Sequence, residues 1–198
     1  MTLLLAYARE RLTADRLLPA VLLVVVAALA GGGWPGGPAF ATDFVLALAL
    51  VITFRIWDDL WDREHDRTKH PDRVLVRAPS TDPLVMASWI LLTGAMMAID
   101  GRSTRSAVLL LVYMAVLAAS YRLRGLPAVA SANAGSRTPA TDRILLLKYG
   151  VFTLALIGPP AAFRARGLLS AAAAFAIACV YEWWHDDESP VFSFGGSR

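Results

Sequence analysis

Between Leu17 and Trp184 the sequence is dominated by apolar runs whose length matches a lipid bilayer. A hydrocarbon core of roughly 30 Å is crossed by about 20 residues of helix, and inside it every backbone polar group needs an internal partner. Spans are expected at Leu17 to Ala30, Thr42 to Trp61, Pro83 to Ile99, Ser106 to Tyr121, Ile144 to Phe163 and Leu168 to Trp184. The hydrophobic share is 57%, above the roughly 45–50% of an ordinary soluble domain. The expected fold class is therefore all-α, a polytopic transmembrane helix bundle of about six spans. It forms one domain over residues 1–188, with a disordered tail at 189–198 and no solenoid repeat. The first apolar run also resembles a signal-peptide core ending in Ala28-Leu29-Ala30. The long basic lead-in and the spans that follow favour an uncleaved first helix.

Charge orients these spans. Loops on one side (the N-terminus, 55–77 and 122–143) hold three, six and four Lys or Arg, and the alternate loops hold none, two and two. The positive-inside rule then puts the N-terminus in the cytoplasm. A net charge of only +3, with bases scattered among loops, argues against nucleic acid as a partner. The single cysteine, Cys179, sits in an alanine-rich run, which suits a buried thiol rather than a nucleophile.

One polar stretch breaks the pattern. Residues 55–77 (RIWDDLWDREHDRTKHPDRVLVR) carry six acids and six bases directly after an apolar run. Asp58, Asp59, Asp62 and Asp66 have the spacing DDxxDxxxD. On a helix this puts 59, 62 and 66 in one stripe, with 58 on its flank. Such a stripe repels itself unless a cation lies against it, and Mg²⁺ suits hard carboxylate oxygens while keeping positions open for phosphate. The plain alternative is a solvated helix laced by pairs such as Glu64 with Arg67. A second acidic cluster, Glu182 and Asp186, falls after the sixth expected span. By the loop count it shares the cytoplasmic side with the first, so the expected site is an aspartate-rich cavity at that face. Lys148, inside the fifth expected span, either points into the bundle or snorkels to its edge. Lys69, Arg73, Arg122 and Arg124 either fix topology or clamp phosphate.

DDLWDREHD (58–66) resembles the first aspartate-rich motif of UbiA-type intramembrane prenyltransferases, NDxxDxxxD, with Asp58 in the asparagine position. The following KHPDRVLVR is similar to that family's continuation. YEWWHD (181–186) resembles its second motif, DxxxD, with Glu182 for the first aspartate, and SYRLRGLP (120–127) more loosely resembles a tyrosine-plus-basic motif. Family members usually have nine helices, against about six expected here.

The resemblance implies an integral protein of a bacterial-type inner membrane that transfers a prenyl group from an isoprenoid diphosphate to a lipophilic, often aromatic, acceptor. It implies Mg²⁺ held by Asp58, Asp59, Asp62, Asp66, Glu182 and Asp186, with Asp62 and Asp66 at the catalytic centre. Lys69, Arg73, Arg124 and Lys148 are the expected diphosphate-binding residues. Phe54, Trp57, Trp61, Trp183 and Trp184 are candidates for cation–π stabilisation of the prenyl carbon. The partners are the donor, the acceptor and membrane lipid, with a homo-oligomer as a further expectation. The alternatives are a non-catalytic protein that binds a prenyl lipid or metal, and a CDP-alcohol phosphotransferase-like enzyme. The latter's Asp-Gly and Ala-Arg signature is missing from 58–66. A cation transporter fits less well, because acids within the spans are lacking.

Overall fold

The computed structural model describes residues 2–124 and 139–185, and among these the chain is helical, with no strand. The helices, in order, are α1 (Leu3–Arg11), α2 (Ala14–Gly32), α3 (Gly37–Trp61), α4 (Arg63–Lys69) and α5 (Val74–Arg77). They continue with α6 (Asp82–Asp100), α7 (Thr104–Arg124), α8 (Pro139–Ile157) and α9 (Ala165–His185). Five helices are long and apolar enough to cross a membrane: α2, α3, α6, the 104–122 part of α7 and the 165–184 part of α9. This is an α-helical integral membrane protein. The expected tail, 189–198, lies outside the described residues.

The fifth expected span became α8, which is not among those five helices. It carries Asp142, Arg143 and Lys148 within nineteen residues. Its placement explains how it tolerates them: α8 packs against α2, α3, α7 and α9, so protein rather than lipid meets much of its surface. It also starts earlier and stops earlier than expected. Gly158 takes φ +70, and Pro159-Pro160 follows, so the backbone hydrogen-bond ladder cannot continue towards Phe163. Prolines in the first turns of α3 and α6 mark the opposite case, where a missing N–H costs nothing.

The interior is one cluster drawn from α2, α3, α6, α7 and α8, with Val24, Leu50, Leu110, Leu117 and Phe152 fully buried. Lipid is as apolar as leucine, so close packing and dispersion matter more here than removal from water. Small residues let backbones approach. A Cβ on Gly150 of α8 would lie 2.9 Å from the Ala171 carbonyl oxygen of α9. At one end of the bundle, Arg102 pairs with Asp43 and Arg166 donates to the Ala30 carbonyl. Two of the few basic residues there thus fasten helix ends to one another.

The lead-in expected over residues 1–16 is more ordered than its composition suggested. Tyr7 of α1 is buried with Ile56, Leu75 and Leu84 in a small core of its own, against α3, α5 and α6.

Candidate functional site

The acidic stretch lies at the other end of the bundle, and its helical register persists across the break between α3 and α4. The Asp62 N–H donates to the Asp58 carbonyl (2.9 Å), and the Asp66 N–H to the Asp62 carbonyl (2.8 Å). The four carboxylates nevertheless part company. Asp58 accepts hydrogen bonds from the Tyr121 hydroxyl of α7 and the Lys148 ammonium of α8. Asp59 turns to α1, where Arg11 donates through Nε (2.9 Å) and Nη2 (2.6 Å) and the Tyr7 hydroxyl adds a third bond (2.8 Å). Asp66 is paired with Arg73. Asp62 alone of the four borders both hollows at this end.

The larger hollow, about 780 Å³, has Arg55, Asp62, Asp66, Lys69 and Arg73 on one wall and Glu182 of α9 on another. Leu23, Leu146, Ile177 and Ala178 give it an apolar side. The smaller, about 150 Å³, is bordered by Asp58, Asp62, Tyr121, Lys148 and Glu182. Asp62 and Glu182, from motifs far apart in sequence, therefore face common space. Among the described residues, no group of three or more His, Cys, Asp or Glu is gathered tightly enough to hold a metal ion. Asp58, Asp59 and Asp66 are instead neutralised by Lys148, Arg11 and Arg73.

Of the expected phosphate-binding bases, Lys69 and Arg73 border the larger hollow and Lys148 the smaller. Lys148 points into the bundle rather than to its edge, at 6% exposure, which decides between its two readings. The side chain of Arg124, and all of Asp186, lie outside the described residues. The expected aromatic set is placed differently. Phe54 is buried against Tyr113 and Phe152, and the Trp57 indole donates to Ser88 (3.0 Å) and packs edge-on to Trp89. Trp61 stacks on Tyr121 at 5.0 Å, and Trp183 and Trp184 are exposed. The rings that line the hollows are Tyr121, Tyr149 and Tyr181.

Several site residues escaped the sequence reading. Arg55 borders both hollows and lies 3.6 Å from Asp59, a contact that its i,i+4 spacing could have revealed. Arg11 and Tyr7 had no such signal, being 48 and 52 residues from Asp59. Burial, and then the charge of Asp59, push the Tyr7 phenol well above its usual pKa. Burial works against the charge on Arg11, but the bond to Asp59 and its charge outweigh that and strengthen its hold on the proton.

The chain matches no family model, and comparisons with curated proteins and with solved structures find no significant match. Fold and site together define a helical integral membrane protein with a charge-compensated polar hollow at one end of its bundle.

Proposed function

We propose that this protein transfers a prenyl group, with Mg²⁺, from an isoprenoid diphosphate to a lipophilic and possibly aromatic acceptor. One observation carries the reading: Asp62 and Glu182 border the same hollow, together with Arg55, Lys69 and Arg73, beside an apolar wall. A polar hollow bordered by both signs of charge suits a metal-bound diphosphate, and the apolar wall suits a hydrocarbon tail. The loop charges support a cytoplasmic position for this end if α8 is counted as a sixth span shielded by its neighbours.

The donors are of the type Mg²⁺ takes, hard carboxylate oxygens from two helices bordering one space. Among the described residues, however, they are not drawn together as a metal-binding group until their basic partners move. Asp62 and Glu182 would hold the ion. Asp58 and Asp66 would join them as Lys148 and Arg73 turn from carboxylate to phosphate. Bound there, the ion offsets negative charge that grows on the diphosphate as it leaves. The remaining work falls to the chain. Lys69, Arg73 and Arg55 grip the phosphates, and Leu146, Ile177 and Ala178 align the tail and exclude water. The allylic C–O bond breaks with its electron pair going to the diphosphate oxygen. The acceptor forms the new bond to that carbon and passes its proton to the departing diphosphate. The faces of Tyr149 and Tyr181 are available to the transient positive charge.

Ion pairing of Asp58, Asp59 and Asp66 lowers the repulsion within the acidic motif, and an exchange of Lys148 and Arg73 onto phosphate would let the ion take their place. The same compensation favours a second reading, a protein that binds a phosphorylated prenyl lipid without cleaving it.

Proteoliposomes given farnesyl or geranylgeranyl diphosphate and a panel of lipophilic acceptors separate the two. Pyrophosphate release that needs Mg²⁺ and falls at least about a hundredfold in Asp62→Ala/Asp66→Ala supports transfer. Unaltered release by that double variant rejects the assignment, and binding without release supports the second reading.

A further inference from the structure

Asp59 lies within the acidic motif, yet both its oxygens are engaged by a helix outside the transmembrane bundle. Arg11 holds it in a two-pronged bond and Tyr7 adds a third contact, and Asp59 itself is only 6% exposed. Glu10, the residue before Arg11, accepts a hydrogen bond from the Val74 backbone N–H (2.8 Å). Val74 follows Arg73, the base paired with Asp66. Helix α1 thus grips both sides of the candidate site: the last turn of α3 through Asp59, and the segment that carries Arg73 through Glu10. The packing of Tyr7 on Ile56, Leu75 and Leu84 seats it between these points.

We propose that α1 is a positioning strap. Arg11 and Tyr7 act through Asp59 to fix where α3 delivers Asp62 and Asp66, and Glu10 acts through Val74 to fix Arg73. Asp59 is then an anchor for the strap and not a ligand of the ion. The catalytic consequence rests on the prenyl-transfer reading; the strap itself does not. An anchor and a ligand respond differently to loss of Arg11. Removing Arg11 leaves the buried carboxylate with Arg55 at 3.6 Å as a basic neighbour but without its ionic link to α1, and neutralising Asp59 as well should then add nothing further.

The test uses the full chain in proteoliposomes with Cys179→Ala and Leu75→Cys, the latter a buried position beneath α1. Alkylation by a membrane-impermeant maleimide reports whether α1 is seated. Arg11→Met is expected to raise the labelling rate about tenfold, and Arg11→Met/Asp59→Asn to raise it no further, as expected for two groups that act as one unit. Turnover of farnesyl diphosphate, measured without the labelling cysteine, should follow the same pattern in kcat with the Mg²⁺ half-saturation unchanged. A half-saturation that shifts with Asp59→Asn and not with Arg11→Met, or losses that multiply in the double variant, would overturn the proposal. Should no variant or wild-type chain release pyrophosphate, the prenyl-transfer reading fails and labelling alone judges the strap: equal protection with and without Arg11 overturns it. If Arg11→Met does not accumulate, Glu10→Ala removes only the hold on Val74. It should raise labelling in the same direction, and unchanged labelling again overturns the strap.

Discussion

Lys148 is a cation with almost no water around it, and its tolerance rests on two neighbours. Asp58 supplies the opposite charge, and Tyr121 hydrogen-bonds the same carboxylate while stacking on Trp61. Removing one member of a buried pair typically costs roughly 3–5 kcal/mol, whereas removing both is often nearly neutral. Asp58 keeps 24% of its side chain exposed, which places this pair at the lower end of that range. Lys148→Met should therefore lower stability by about 3 kcal/mol and lower the melting temperature in detergent by several degrees. Lys148→Met/Asp58→Asn should regain most of that. A double variant as unstable as the single would show that the pair is not what holds these helices. The DDxxDxxxD spacing was legible in the sequence because helical periodicity is local. The separate partner of each aspartate was not, since Lys148, Tyr121 and Arg11 come from elements brought near only by folding.

At the scale of the element, α8 shows where hydropathy misleads. Its three charges exclude it from the apolar class, and packing against four other helices accommodates them. It comes close to α9 at Gly150, where the Ala171 carbonyl leaves no room for a Cβ. Backbone cannot move aside as a flexible side chain can. Gly150→Ala should thus cost about 1–3 kcal/mol, measured as a fall in thermal stability, and Gly150→Leu more. An alanine variant as stable as the parent would mean that α8 and α9 slide without loss. The span boundaries illustrate the same contrast. Prolines in the first turns of α3 and α6, and the Gly158-Pro159-Pro160 stop after α8, bound these helices because they act on their own backbone. The expected start of α3 at Thr42 nevertheless overlooked Gly37. The early start of α8 and the docked α1 depend on distant contacts that a linear reading does not contain.

For the whole molecule, the uneven loop charges carry the proposed orientation, which labelling of the two ends can test. Pro35 is exposed just before α3, and Pro71 is exposed after α4, beyond the other end of α3. In intact cells, with Cys179 replaced by alanine, Pro35→Cys should react with an impermeant maleimide, and Pro71→Cys only after permeabilisation. The reverse pattern would turn the site outward and remove the cytoplasmic reading.

Sequence alone determined that this chain is helical and integral to a membrane, because bilayer thickness and unpaired backbone groups leave few other solutions for such apolar runs. It also led to the expectation that acids from two distant segments would lie at the same end, and Asp62 and Glu182 do border common hollows. Local pairs such as Glu64 with Arg67 follow helical spacing, but only the tertiary structure decided which distant base meets Asp58 and Asp59. Ion pairing acts over a few ångströms between side chains, and positions along the chain do not encode those distances until the helices have packed.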